Sequence, residues 1–238
     1  MIRNTTACFI IVFLLVNASG CSKGSTTIEK QPEPPVAHSS TIKQQISSTP
    51  VTNQQTTTTP TPFSSQTGLA VSPEKVKEAE QQYEKGYELY NEFKYDEAIK
   101  RFNLSIEADP TNYKAYNGKG IALCFKGDYK TGMDLIRKSL DMKHDYPYAN
   151  FNMAMAYKLQ KDLSNALLWF EKTLSFDSND TWSYYGISTI YADWGNTEKS
   201  LEYLKKAIEL DPAVKGVAKG QSHYDKMRNN PEFIKLTK

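Results

Sequence analysis

The sequence predicts an all-α solenoid of four helix-turn-helix units, closed by a helical C-terminal cap and preceded by a long polar linker. Three observations carry this. Stepping by 34 residues through 79–212 returns residue character: Gly86, Gly120, Ala154 and Ser188 are small, as are Ala98, Gly132, Ala166 and Ser200. Phe102, Ile136, Phe170 and Leu204 are bulky and apolar, and the columns Ile99, Met133, Leu167, Leu201 and Ile106, Leu140, Leu174, Ile208 keep the same register. Within each unit, two runs with helical apolar spacing are separated by a short break. The breaks include Gly127-Asp128 and Gly195-Asn196, residues suited to a tight interhelical turn. A period of this length marks stacked units, each unable to bury its apolar face alone.

The chain begins with Arg3 followed by an apolar core at 7–16, which is the length of an export signal and too short to span a bilayer. Ala18-Ser19-Gly20-Cys21 resembles the lipobox of prokaryotic lipoproteins, with Ala18 where that family usually has leucine. The resemblance implies that 1–21 is a signal segment ending at a lipidated Cys21 and that the protein is exported and membrane-anchored. Two acyl chains there would anchor stably, since each buried CH₂ contributes roughly 0.8 kcal/mol. Residues 22–72 are dominated by Ser, Thr, Pro and Gln, with Phe63 the single aromatic. Such a composition buries too little apolar surface to offset its ordering entropy and is expected to form a disordered stalk.

Pro73, with Glu74 and Glu78 near the positive end of the helix dipole, is a strong helix start. The apolar pattern then places helices at 73–92 and 95–108, 112–126 and 129–142, 147–160 and 163–176, and 182–194 and 197–210. Asp109-Pro110 and Asp211-Pro212 end the first and last pairs. Residues 213–238 leave the pattern. Tyr224, Met227, Phe233 and Leu236 are spaced as short helices around Asn229-Asn230-Pro231, as a cap over the last unit requires.

On these residues the unit resembles the tetratricopeptide repeat. Its small first-helix residue falls at Gly86, Gly120, Ala154 and Ser188, its second-helix alanine at Ala98, Gly132, Ala166 and Ser200, and the large partner at Phe102, Ile136, Phe170 and Leu204. The closing proline is present at Pro110 and Pro212 and replaced by His144 and Ser178. The repeats fall at 79–112, 113–146, 147–180 and 181–214. The resemblance implies a right-handed solenoid whose first helices line a concave groove that binds a peptide or partner helix. The groove positions map to Tyr83, Tyr87, Asn117, Ile121, Tyr148, Phe151, Asn152, Met155, Trp182 and Tyr185. Aromatics dominate, suiting apolar anchors, with Asn117 and Asn152 expected to hold a peptide backbone. The Lys/Arg/Asn clamp that some members use for a C-terminal carboxylate is absent, since Tyr87 and Tyr148 stand where it would need polar or basic groups.

Charge limits the alternatives. The net charge is +2, but from residue 73 onward 25 basic and 25 acidic residues balance, which argues against a nucleic-acid partner. Cys124 is the one thiol beyond the leader, and the three histidines lack metal-ligand spacing. No cofactor is expected. No carboxylate pair, Ser-His-Asp set or phosphate loop stands out, so a non-enzymatic interaction scaffold at a cell surface or envelope is expected. An envelope or pilus assembly lipoprotein and a glycan-binding surface module, with aromatics as stacking platforms, are the alternatives. Asn103-Leu104-Ser105 and Asn179-Asp180-Thr181 fit the N-glycosylation pattern, and Asn179, in a turn between units, is the better acceptor.

Overall fold

The computed structural model describes residues 71–238. The expected signal segment, Cys21 and all but the last two residues of the linker lie outside them.

Eight helices form four antiparallel pairs. They are α1 (Pro73–Asn91) with α2 (Tyr95–Ala108), α3 (Tyr113–Phe125) with α4 (Tyr129–Met142), α5 (Pro147–Leu159) with α6 (Leu163–Phe176), and α7 (Thr181–Asp193) with α8 (Thr197–Leu210). Three short elements follow: α9 (Val214–Gly220), a 3₁₀ helix (Ser222–Met227) and α10 (Pro231–Thr237). The helix limits fall within about one residue of those expected, because most starts carry a cap. Ser72, Asn112, Asp128, Asp162, Asp180, Asn196 and Asn230 each accept a hydrogen bond from a backbone N–H in the first turn. Lys94 and Tyr146, at the starts of α2 and α5, make no such bond.

The turn inside each unit repeats with the same period. Phe93, Gly127, Lys161 and Gly195 all have positive φ, at 61°, 92°, 62° and 75°. The N–H of the following residue bonds back five residues in each case: Lys94 to Leu89, Asp128 to Leu123, Asp162 to Tyr157 and Asn196 to Tyr191, at 2.9–3.0 Å. This is the left-handed closure that ends many helices. Glycine adopts it freely, whereas Phe93 and Lys161 carry its steric cost.

Small residues set how closely each pair approaches. In the second unit both positions are glycine. A Cβ on Gly120 would lie 2.6 Å from the Gly132 carbonyl oxygen, and one on Gly132 would lie 2.5 Å from that of Gly120. Ala154 with Ala166 takes the same place in the third unit. In the fourth, Ser188 donates from Oγ to the Ser200 carbonyl at 2.7 Å.

Successive units join through a large residue that fills space in front of the next first helix. Phe102 and Phe170 are completely buried and lie against Gly118 and Gly186, where an added Cβ would come within 2.6 and 2.5 Å of the ring. Between them the smaller Ile136 occupies the Phe column, and the next unit carries Asn152 in the glycine column. The packing therefore alternates, with a phenyl ring over glycine in the first and third junctions.

Each second helix packs against the next first helix, and α1, α3 and α5 also pack on one another. That arrangement puts the first helices on the inner face. One apolar core runs through the pairs from Tyr90 to Tyr191. A second joins Tyr185 and α8 to the cap through Val214, Ala218, Tyr224, Met227 and Phe233. Tyr224 fixes the cap: its ring is wholly buried and its hydroxyl lies 2.9 Å from Ser188 Oγ. His223 Nδ1, 2.6 Å from Asp193 Oδ1, ties the same turn to α7.

Candidate inner-face binding site

The ten groove positions divide in two. Tyr83, Tyr87, Tyr148, Asn152 and Trp182 are half-buried and reach the surface of the inner face. Ile121, Phe151, Met155 and Tyr185 are buried in the cores, at 1, 8, 8 and 5 % exposure, and Asn117 is 4 % exposed. For those five the structure corrects the expectation of an open groove wall. The first helices pack directly on one another, so a position facing the neighbouring helix is covered although its sequence column is an inner one. Phe151 illustrates this, with its ring 5.5 Å from that of Phe170.

Asn117 is the polar exception. It stands one unit after Tyr83 and one before Phe151, and its Oδ1 is buried with no hydrogen-bond partner among the described residues. An acceptor left in that condition costs about 1–3 kcal/mol.

The N-terminal part of the face contains groups that the sequence reading did not join. Tyr146 stacks edge-on against Tyr113 at 5.0 Å and meets Tyr148 at 5.5 Å. Its hydroxyl comes close to that of Tyr83, which belongs to the first unit. Burial raises the pKa of both phenols. Glu80 and Lys114 pair at 2.7 Å, and the Lys114 ammonium lies 5.6 Å from the centre of the Tyr83 ring. These two stand 34 residues apart in the column that continues as Tyr148 and Trp182. Opposite charges at that spacing were the available signal. They cancel, so the face stays almost without net charge. At the other end Trp182 stands edge-on to Tyr185 at 5.8 Å.

Other candidate groups are placed as follows. Cys124 is buried at 1 % exposure, and burial pushes its thiol up to about 12, so it is unreactive in the fold. Asn179 is exposed in the turn before α7. Among the described residues no cluster of His, Cys, Asp or Glu could hold a metal ion, and no helix is long and apolar enough to cross a membrane.

With this geometry in place, comparison with known proteins identifies the units. The family model of the tetratricopeptide repeat matches residues 147–180 and 183–214. These are tetratricopeptide repeats. The tetratricopeptide region also aligns with human tetratricopeptide repeat protein 6, at 22 % identity over 127 residues, covering 53 % of this chain and 24 % of that protein. The Hsp70-Hsp90 organising protein of Plasmodium falciparum is 27 % identical over 153 residues, covering 62 % of this chain and 59 % of the relative. The chain thus spans about a quarter of the first relative and three fifths of the second. A thermophilic tetratricopeptide protein of Thermus thermophilus, known from its crystal structure, superposes with a TM-score of 0.57 at 17 % identity. That match covers 66 % of this chain and 87 % of the other, and it shows a shared tetratricopeptide solenoid.

Proposed function

We propose that this tetratricopeptide domain is a protein-interaction scaffold whose inner face holds an extended peptide segment of a partner. The observation that carries the reading is the first-helix row in which Tyr83, Tyr87, Tyr148 and Trp182 reach the surface of the inner face. Aromatic anchors supply contact area at low entropic cost, while the half-buried Asn152 amide beside them can pair with a peptide backbone. The near absence of net charge on this face favours an apolar or aromatic segment over an acidic or basic one. The name of the Plasmodium relative, an Hsp70-Hsp90 organising protein, supports a connecting role for repeats of this kind.

The same proposal has the domain exported and held at a membrane by lipid on Cys21, with residues 22–72 as the tether and no enzymatic role. The lipobox-like run Ala18-Ser19-Gly20-Cys21 and the Ser/Thr/Pro composition support it. Mass analysis of the mature N-terminus tests this part, since an unmodified Cys21 would remove the anchor.

Peptide-array binding tests the groove. The double variant Tyr148→Ala/Trp182→Ala should lose at least about tenfold in affinity for peptides that the wild-type domain selects, because two anchors at more than about 1 kcal/mol each are removed. Undiminished binding by that variant would exclude the inner face as the site. Selection of glycans in place of peptides on a parallel array would move the assignment to a carbohydrate-binding module.

A further inference from the structure

Rings from three units meet at one edge of the inner face. Tyr113 opens α3, Tyr146 immediately precedes α5 and Tyr148 is the second residue of that helix, so all three stand at the N-terminal ends of first helices. The ring of Tyr146 lies 5.0 Å from that of Tyr113 and 5.5 Å from that of Tyr148, and its hydroxyl comes close to that of Tyr83 on α1. All four rings are half-buried, so each keeps part of its surface open. The charged groups beside them, Glu80 and Lys114, neutralise each other at 2.7 Å. An uncharged surface of phenol rings suits proline and phenylalanine, which bind through ring contact and bring no charge to compensate.

The chain carries such a segment itself, and it enters on the same edge. Residues 44–73 contain no Asp, Glu, Lys, Arg or His, in contrast to 22–43 with Lys23, Glu29, Lys30, Glu33 and Lys43. Within the uncharged stretch, Thr59-Pro60-Thr61-Pro62-Phe63 joins two prolines to the single aromatic of the linker. Proline holds φ near −65° and biases the residue before it toward extended backbone, which lowers the cost of ordering such a run on a surface. Reach is sufficient. Glu80 is level with Lys114, the second residue of α3, through their ion pair, whereas α1 begins at Pro73. The start of α1 therefore stands about 10 Å beyond the tyrosine edge. From there to Tyr148 the path crosses two helix spacings of about 8–10 Å, roughly 20–25 Å in all. A chain extended from Ser72 back to Phe63 spans up to about 30 Å.

We infer that the segment Thr59–Phe63 of this same chain docks on the Tyr83, Tyr113, Tyr146 and Tyr148 rings and competes there with partner peptides. The inference rests on the inner face being a peptide site, and it gives that site an internal occupant. Covalent connection sets the occupancy. A short tether presents its segment at an effective concentration of about 1 mM. An intrinsic Kd of about 0.1 mM then fills the site about nine-tenths of the time and weakens an external peptide about tenfold. A partner segment must therefore outcompete the linker, which sets a threshold that weak ligands fail to cross.

The test uses the full chain in a non-ionic detergent, which keeps its apolar residues 7–16 from associating. With p-benzoylphenylalanine in place of Phe63, irradiation of dilute mixed ¹⁴N and ¹⁵N chains should give adducts within one chain, at the four tyrosines or their immediate neighbours. A fluorescein-labelled peptide of residues 56–67, followed by anisotropy, should bind Pro60→Ala/Pro62→Ala/Phe63→Ala at least about tenfold more tightly than wild type, because that variant has lost the tethered competitor. Peptides selected on the array should gain the same factor. Tyr148→Ala added to the triple variant should weaken the labelled peptide at least about fivefold, with unchanged helical circular dichroism as the check on folding. Array peptides that depend on Tyr148 yet bind wild type and triple variant equally would keep the inner face as a peptide site and refute the internal occupant. Array peptides and linker peptide that are both indifferent to Tyr148→Ala/Trp182→Ala would remove both readings. Adducts confined to other surfaces, or formed only between chains, would also overturn the inference.

Discussion

The close approach of α3 and α4 offers a test in which one kind of substitution has opposite effects at two places. Gly120→Ala adds a methyl group between α3 and α4, 2.6 Å from the Gly132 carbonyl oxygen and 2.7 Å from Ile136 Cγ1. Carbon and carbonyl oxygen ordinarily meet at about 3.3 Å, so the helices must separate by roughly 0.7 Å. The obstacle is backbone and cannot rotate aside. Overpacking of this kind costs about 1–3 kcal/mol, and the better helix propensity of alanine returns at most about 1 kcal/mol. The net expectation is a loss of about 1–2 kcal/mol. Gly216→Ala is the control: Gly216 lies inside α9 with no neighbour within 4 Å of an added Cβ, so propensity acts alone and the expected change is a gain of about 0.5–1 kcal/mol. Urea titration followed by far-ultraviolet circular dichroism measures both, and equal slopes would show that only the midpoint moved. A Gly120→Ala variant as stable as wild type would refute the close approach described for α3 and α4.

Three further expectations concern a turn, a cap and a thiol. Lys161→Gly should stabilise by about 0.5–1 kcal/mol in the same titration, because relief of the positive φ exceeds the added freedom of the unfolded chain. Asp180→Asn should stabilise at pH 7, because burial raises the Asp180 pKa; the hydrogen bond from Ser183 offsets this in part and nearby Asp177 adds to it. The sign follows from that direction: the protonated form is favoured in the fold, so stability is greatest below the ordinary carboxylate range and falls as pH rises through the folded pKa. The advantage of asparagine, itself a good N-cap, should therefore vanish in acid, and thermal melts at several pH values check it. Cys124 should resist iodoacetamide at pH 8 until the domain unfolds, with modification at least about a thousandfold slower than for a free cysteine, as read by peptide mapping.

Much of the fold was legible because its signals repeat. The small and large columns and the asparagine and aspartate caps return every 34 residues, and helix limits follow from them. The turns at Phe93 and Lys161 were less legible, since neither residue type announces a left-handed backbone. Gly127 and Gly195 in the same column were the indirect sign. The inner face was legible only in part. Periodicity identifies which side of a first helix faces inward. It does not say how far the neighbouring helix covers that side, and that coverage separates half-buried Trp182 from buried Tyr185. The approach of Tyr146 to Tyr83 depends on how two whole units are set relative to each other, a quantity no single column contains. Asn117 was nominated from its column alone, and only the packing around it reveals that it is covered and that its oxygen lacks a partner among the described residues.

The alternation of ring and glycine at the junctions makes the order of the units non-interchangeable. Removing the second unit as a block would bring Phe102 against Asn152, where the ring has no room. Removing the third would bring Ile136 against Gly186 and leave a void behind the smaller side chain. Tandem arrays ordinarily drift by gaining or losing whole modules through recombination, and this one resists such drift at its interior seams. Only excision of an even-numbered block, the second and third units together, restores a phenyl ring to a glycine, with Phe102 meeting Gly186. The effective module of inheritance is thus two units long, twice the period that the amino acids display.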